Sequence, residues 1–350
     1  MTSESPAAGL DHSMVQLRCI SVRQETPDAK TYSFRREDGG RLIFDAGQFL
    51  TFVFPIGKDE HLRSYSISSS ALAPGRLSIT VKRVQGGIVS HWLFDNMAPG
   101  MRVMVHPPAG RFCCGLEPAR PVLLLTAGSG ITPAASMLRS LADHGSEADL
   151  VLVHFANSGE QMIFAEEMGQ WARALPRLRV IPVVTRHTPC SGWVGPVGRI
   201  SGGLLAALVP DLAMRGVYCC GPSGFMKEAE VILSQLGLPS DLFTTESFEP
   251  AVEQEDVTSP SSDVVHMIQF AKSGRSVEVD ADTTVLKAAK SAKVHIQTSC
   301  GKGACGTCRV KLLSGTVDIR HQGGILRREI DRGFILACCS RPTSDLVIER

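Results

Sequence analysis

The 350-residue chain has no surplus of either charge: 36 Lys and Arg stand against 35 Asp and Glu, a net +1. Proteins that track a phosphate backbone need an excess of cations, so generic nucleic-acid binding is excluded. Long apolar runs are also missing. The longest, such as Val122 to Leu125, fall far below the ~20 residues that a membrane-spanning helix requires. Nor does the chain open with the charged start and apolar stretch of a secretory leader; Met1 to His12 is rich in Ser, Pro, Ala and Gly and reads as a loose tail. With no leader and with thiols that must stay free for the motif described next, a reducing, cytoplasmic setting is expected.

Cys300-Gly-Lys-Gly-Ala-Cys305-Gly-Thr-Cys308 places three thiols at x4 and x2 spacing, with further cysteines at Cys338 and Cys339. This spacing matches the ligands of a plant-type 2Fe-2S cluster. Glycines at 301, 303 and 306 let a loop wrap closely and aim N–H groups at cluster sulfurs. The rival readings are a zinc site, normally built from two short Cys pairs, and a chance run of buried thiols. If Phe334 to Cys339 is extended, Cys338 and Cys339 point to opposite faces and only one of them is a ligand.

A chain of this length exceeds the ~250–300 residues at which a single core stops growing. Its punctuation divides it into a tail (1–12), a first domain (13–118), a second (119–250), a polar linker (251–262) and a third domain (263–350). The first holds short alternating segments between Gly, Pro and Asp turns, the pattern of a small antiparallel β-barrel. The second alternates continuous apolar strands with helices, which implies an α/β doubly wound parallel sheet binding its ligand beyond the strand C-termini. In the third, a hairpin around Ser273-Gly274 and a helix from Thr284 precede the Cys-rich loop, an α+β arrangement.

Within the first domain, Arg63-Ser64-Tyr65-Ser66 resembles the Arg-x-Tyr-Ser/Thr flavin motif of the ferredoxin–NAD(P) reductase superfamily. Arg63 suits a diphosphate, the Tyr65 ring suits the isoalloxazine, and Ser66 can hydrogen-bond near flavin N5. Gly86-Gly87-Ile-Val-Ser90 opens a helix whose free N–H groups, with the Ser90 hydroxyl, can hold a phosphate. It resembles the family's second flavin signature and favours FAD over FMN. Pro108-Ala-Gly110-Arg-Phe112 resembles the turn that closes the family's barrel.

Ala127-Gly128-Ser-Gly130-Ile-Thr132-Pro133 lacks the GxGxxG spacing but resembles the pyridine-nucleotide loop of the same reductases. Cys220-Gly221-Pro222, with Met226 following, resembles their Cys-Gly-Pro motif beside the nicotinamide, and Glu246 and Phe248 stand where the family often has an acidic residue and an aromatic. The resemblance thus implies Ser66, Cys220 and Glu246 as catalytic residues. No Lys or Arg occurs in Ala156 to Gln161, where NADPH-binding relatives often grip the 2′-phosphate, so NADH is expected; Arg186 and His187 could reverse this.

The third domain resembles plant-type ferredoxins of β-grasp fold, and the Leu-Ala-Cys ending selects Cys338 as the fourth ligand after Cys300, Cys305 and Cys308. Residues 263–350 carry 14 Lys and Arg against 9 Asp and Glu, a local +5 that leaves −4 for the remainder. Lys302, Arg309, Lys311, Arg320, Arg327 and Arg328 could dock an acidic redox partner. The C-terminal stretch around His321 and Cys338 resembles reductases of Rieske-type oxygenases acting on quaternary ammonium compounds such as glycine betaine. The expected function is therefore transfer of electrons from NADH through FAD and the cluster to a terminal oxygenase. The alternatives are a reductase for a hybrid-cluster protein or for a ring-hydroxylating or epoxidising oxygenase, and, in another class, a redox sensor. The chain has neither a mononuclear-iron facial triad nor a Rieske Cys-x-His pair, so the substrate is expected to be oxidised elsewhere.

Overall fold

The computed structural model describes residues 14–248 apart from 74 and 187–191, and residues 265–350 apart from 295, 297, 299, 300, 302, 304, 305, 307, 322, 323 and 326. The expected tail and linker, His187, Lys302, Cys300 and Cys305 lie outside these residues.

Alternating apolar side chains fold the first segment into an antiparallel barrel. Its strands are β1 (Val15–Thr26), β2 (Ala29–Arg36), β3 (Phe49–Ile56), β4 (Asp59–Ser66), β5 (Leu77–Lys82) and β6 (Arg102–Val105), in the order β4-β3-β6-β1-β2-β5. The two edges meet where Ile67, just past β4, bridges Ile79 of β5. Leu50, Phe52 and Phe54 of β3 alternate inward against Tyr32 and Phe34, and all are fully buried. A buried phenylalanine of this kind is worth ~3–5 kcal/mol against alanine. Helix α1 (Ile88–Asn96) packs Val89 and Leu93 into the same core.

The second segment forms β7 (Val122–Ala127), α2 (Ile131–His144), β8 (Leu150–Ala156), α3 (Ala165–Ala174), β9 (Leu178–Val184), α4 (Gly202–Leu208), β10 (Gly216–Cys220), α5 (Ser223–Gln235) and β11 (Phe243–Glu246). All five strands run parallel in the order β11-β10-β7-β8-β9. Both faces are covered: Leu124, Leu150 and Leu152 meet α2 and α3, whereas Leu123, Leu125, Val151 and Val153 meet α4 and α5. This double burial explains why the strands read as unbroken apolar runs. Pro182 fits because β9 is an edge.

One strand departs from the sequence reading, in which β10 is the last. Phe243-Thr-Thr-Glu246 forms β11 outside it, too short and too polar to show strand periodicity. Its pairing places Glu246 directly beside Cys220.

Barrel and sheet are locked together. Phe112 meets Tyr218 edge to face, with ring centroids 5.6 Å apart. Glu167 on α3 binds Arg139 of α2 at 2.6 Å and reaches across to Arg23 of β1 at 2.5 Å. Burial alone would raise the Glu167 pKa, but Arg139 and Arg23 hold it below the usual value. Ser136 donates to the Ser69 carbonyl at 2.8 Å, and Ser140 accepts from the Ala71 N–H at 2.8 Å.

The third segment comprises β12 (Val265–Phe270), β13 (Arg275–Asp280), α6 (Val285–Ser291), β14 (Arg309–Ser314), β15 (Val317–Ile319), α7 (Arg327–Ile330), β16 (Phe334–Leu336), β17 (Ser340–Pro342) and β18 (Leu346–Ile348). A mixed sheet β13-β12-β18-β14-β16 carries the small pair β15-β17 beside it. The expected hairpin turns at Gly274, whose φ of +64° favours glycine. Thr284 caps α6 by accepting from the Lys287 N–H at 3.3 Å. Among the described residues, no helix is long and apolar enough to cross a membrane.

Candidate functional site

Strand β4 carries the RxYS residues, the last of which, Ser66, meets the parallel sheet. Arg63 is exposed, its guanidinium held by the Leu62 carbonyl at 2.8 Å. Ser64 shares a hydrogen with Thr51 at 2.8 Å. Tyr65 is half-buried and lies edge-on to Phe52 and Phe54, with centroids 5.9 and 6.4 Å away. Burial raises its phenol above the ordinary value, so the ring stays neutral. Ser66 is buried and donates to Oε2 of Glu246 at 3.1 Å.

Gly86 adopts φ +72° and Gly87 caps α1, whose first turn has neither a capping side chain nor an acidic residue. Its N–H groups therefore remain available to an anion. Ser90 differs from the expectation. Its buried hydroxyl accepts from the Val84 N–H and donates to the Gly87 carbonyl, both at 3.1 Å, so it shapes the loop.

At the C-terminal end of β7, Gly128 takes φ +54° in a 3-10 turn that runs into α2, which has no side-chain cap and no acidic first turn. A Cβ on Gly128 would project into open space. Gly130 is the reverse: a Cβ there would lie 2.1 Å from the Cys220 carbonyl oxygen. One on Gly221 would lie 3.0 Å from the Ala127 Cβ and 2.9 Å from the Phe225 ring. The loops after β7 and β10 thus interlock through their glycines. Thr132 is buried and donates to the Ser129 carbonyl at 3.0 Å, bracing the turn. Pro222 caps α5. Met226 packs in the apolar core with Leu123, Leu125 and Phe155, so its side chain is not brought to the nucleotide site as expected. Met226 lies with Ala229, Ile232 and Leu233 on the buried stripe of α5.

Cys220, Glu246 and Ser66 converge where barrel and sheet meet. Burial pushes the Cys220 thiol well above its ordinary value, and the Glu246 carboxylate and Cys219 add to this, so it remains uncharged. Cys113 belongs to the same neighbourhood, pushed up to about 12 by burial and then by Asp45 and Glu246. Sequence reading missed it; its place directly after the barrel-closing Phe112 was the available signal. Phe248 is 40% exposed at the edge of the site. Ser247 Oγ is buried without a partner among the described residues, leaving a polar atom for a bound group to satisfy. Open N–H groups at two helix starts, an uncrowded Gly128 and this hydroxyl suit a flavin and a dinucleotide.

In the third domain, Cys308 and Cys338 are buried, and the Cys338 N–H points at Cys308 Sγ from 3.5 Å. Hydrogen bonds from Cys308 and Cys339, and from the Gly303 backbone, pull the Cys338 thiol below its ordinary value against the effect of burial. Gly303 and Gly306 have φ +73° and +77°; a Cβ would strike Cys339 Sγ at 2.6 Å and the Gly324 carbonyl at 2.7 Å, respectively. The buried hydroxyls of Thr298 and Ser340, close to the cysteines in sequence, have no partner among the described residues. These features fit an iron–sulfur cluster. The expected strand alternation at Cys338 and Cys339 does not occur. Residues 337–339 form a turn closed by the Cys339 N–H and the Leu336 carbonyl at 3.1 Å, so the two thiols are neighbours.

The basic surface is also less free than its charge count implies. Arg309 pairs with Glu329, Arg320 with Asp318 and Arg327 with Asp331, while Lys311 bonds the Arg332 carbonyl. The Arg328 side chain, like Lys302, is outside the described residues.

Known proteins share this arrangement. Residues 16–113 match an oxidoreductase FAD-binding domain, residues 124–230 an oxidoreductase NAD-binding domain, and residues 268–343 a 2Fe-2S iron-sulfur cluster binding domain. The chain is 36% identical over 345 residues to the glycine betaine monooxygenase reductase subunit of Pseudomonas aeruginosa, covering 95% of this chain and 94% of that one. It is 35% identical over 338 residues to a stachydrine N-demethylase reductase subunit of Rhizobium meliloti, covering 95% and 96%. Among solved structures, phthalate dioxygenase reductase superposes with a TM-score of 0.59 at 26% identity, over 96% of this chain and 98% of that one. FAD, NADH and a 2Fe-2S cluster are accordingly the cofactors, and the chemistry is electron transfer between them. The chain belongs to the family of three-domain oxidoreductases in which an FAD-binding barrel, an NAD-binding domain and a ferredoxin-like 2Fe-2S domain follow one another.

Proposed function

We propose that this reductase supplies electrons to a separate terminal oxygenase of the Rieske type that acts on a quaternary ammonium compound, and that it works in the cytoplasm. The observation that carries the reductase reading is the meeting of Ser66 with Glu246, and of Glu246 with Cys220, at the junction of barrel and sheet. When bound, FAD converts a hydride into single electrons and the cluster carries them one at a time. The residues orient the reactants. Arg63 and the start of α1 would hold the flavin diphosphate, and Tyr65 would lie against the ring. Ser66, whose hydrogen is committed to Glu246, keeps an oxygen lone pair that could accept from the N5–H of the reduced flavin. Gly128, Gly130 and the start of α2 would receive the NADH diphosphate. Neutral Cys220, with Gly221 and Pro222, would border the nicotinamide without placing a competing charge beside the transferred hydride. Cys300, Cys305, Cys308 and Cys338 would ligate the cluster.

Domain limits of 13–118, 119–250 and 263–350 accommodate all these groups. The substrate class rests on the glycine betaine and stachydrine relatives, since both compounds are quaternary ammonium carboxylates.

The test has two stages. An anaerobic visible spectrum with iron and flavin quantified should show flavin and cluster bands that bleach together on addition of NADH. Mixed with a Rieske-type glycine betaine oxygenase and substrate, the protein should then couple NADH oxidation to formaldehyde release. Rapid reduction of one-electron dyes with no transfer to that oxygenase would redirect the reading to the ring-hydroxylating or epoxidising alternatives.

A further inference from the structure

Arg111 projects from the barrel-closing turn toward the cluster domain. Its backbone is fixed on both sides: Ala109 bridges Phe49, Gly110 is pressed against the Phe49 ring, and Phe112 is buried against Tyr218 of the parallel sheet. The guanidinium Nη2 lies 2.8 and 2.7 Å from the two carboxylate oxygens of Glu329 on α7, 218 residues away in sequence. Glu329 also binds Arg309, the residue after Cys308. A Cβ added to Gly306, inside the cluster loop, would come within 3.9 Å of Arg111 Nε. One arginine therefore lies beside the cluster loop, holds the cluster domain's α7 and belongs to a turn that both other domains immobilise. Glu329 is only 16% exposed, flanked by two guanidinium groups, and so is better placed than a surface pair to resist screening.

We propose that Arg111 is a positioning residue that clamps the 2Fe-2S domain against the flavin barrel through Glu329. This rests on the reading that the cluster takes its electrons from the flavin within the same chain. Each hydride from NADH brings two electrons, and the cluster would accept them one at a time, one ferric ion becoming ferrous and the second electron crossing only after the first has passed to the external acceptor; no bond is made or broken at Arg111. Transfer rates fall steeply with distance, and a domain joined only by a linker spends much of its time away from the acceptor position unless something holds it.

The test uses the full chain with cofactors bound, as wild type, Arg111→Glu and Arg111→Lys. Solution scattering should show a larger radius of gyration for Arg111→Glu, which sets two carboxylates against each other, and a return toward wild type for Arg111→Lys. Stopped-flow spectra should show flavin reduction by NADH unchanged in all three. Cluster bleaching should slow about tenfold in Arg111→Glu and stay within about threefold in Arg111→Lys. Unchanged scattering and unchanged cluster bleaching in Arg111→Glu would overturn the clamp. Absence of NADH-driven cluster bleaching in the wild type would instead overturn the electron path on which it rests.

Discussion

Ser66 and Glu246, 180 residues apart in sequence, are joined by a 3.1 Å hydrogen bond across the junction of barrel and parallel sheet. If this bond sets the geometry for hydride transfer, Ser66→Ala and Glu246→Ala should each slow anaerobic flavin reduction by NADH about 5- to 30-fold, the worth of about one to two kcal/mol of lost orientation. The double variant should be little worse than either single one, because both remove the same contact. Glu246→Gln, which keeps an acceptor oxygen, should lose less. Additive losses in the double variant would mean that the two residues act separately.

Gly130 tests the nucleotide loop through space alone. Alanine there would bring a Cβ to 2.1 Å from the Cys220 carbonyl, so the loop must move off β10. The KM for NADH should rise at least about tenfold, the penalty expected for displacing a preorganised loop, while FAD content stays at wild-type level. Gly128→Ala would meet no protein atom, and any effect on NADH binding would report contact with the coenzyme together with backbone strain at φ +54°.

Cys338→Ser and Cys339→Ser separate the ligand from its neighbour. Loss of Cys338 should remove cluster absorbance and iron while NADH-dependent ferricyanide reduction by the flavin domains persists. Cys339→Ser should retain both. The reverse pattern would assign the ligand to Cys339, which the turn at 337–339 brings into the same neighbourhood.

His154 makes the second domain sensitive to acid. It is fully buried on β8, with Nδ1 2.8 Å from Thr126 Oγ1 and Nε2 unpartnered among the described residues. Burial, aided slightly by the charge of Lys82, lowers its pKa from 6.5 to about 3. Between these values the unfolded chain binds a proton that the folded chain refuses, so stability falls as pH drops below about 6.5, by up to ~1.4 kcal/mol per unit. His154→Gln removes this term. In urea titrations from pH 7 to 5, the variant should gain on the wild type as pH falls; a constant difference would show that the folded protein accommodates the imidazolium.

Domain order, the parallel sheet and the cofactor set were legible because each is written in local pattern. Thiol spacing, glycines at loop positions, apolar runs and short alternating strands all act within a few residues, where covalent geometry and side-chain period govern the outcome. Local pattern also misled at several points. β11 was too short and polar to declare itself, the Ser90 hydroxyl proved to be occupied by its own loop, Met226 turned to the core, and the alternation that an extended segment would give Cys338 and Cys339 is replaced by a turn.

The sequence by itself thus determined which chemical groups this protein carries and the order of the folds that present them. Only the tertiary structure decided which of those groups meet. Ser66 reaches Glu246 because β11 adds outside β10, Arg139 and Arg23 share Glu167 because α3 packs near the barrel, and Arg111 reaches Glu329 because the third domain lies against the first. Such pairings arise from the burial of one surface against another, and residues more than a hundred positions apart leave no periodic trace of it in a single chain.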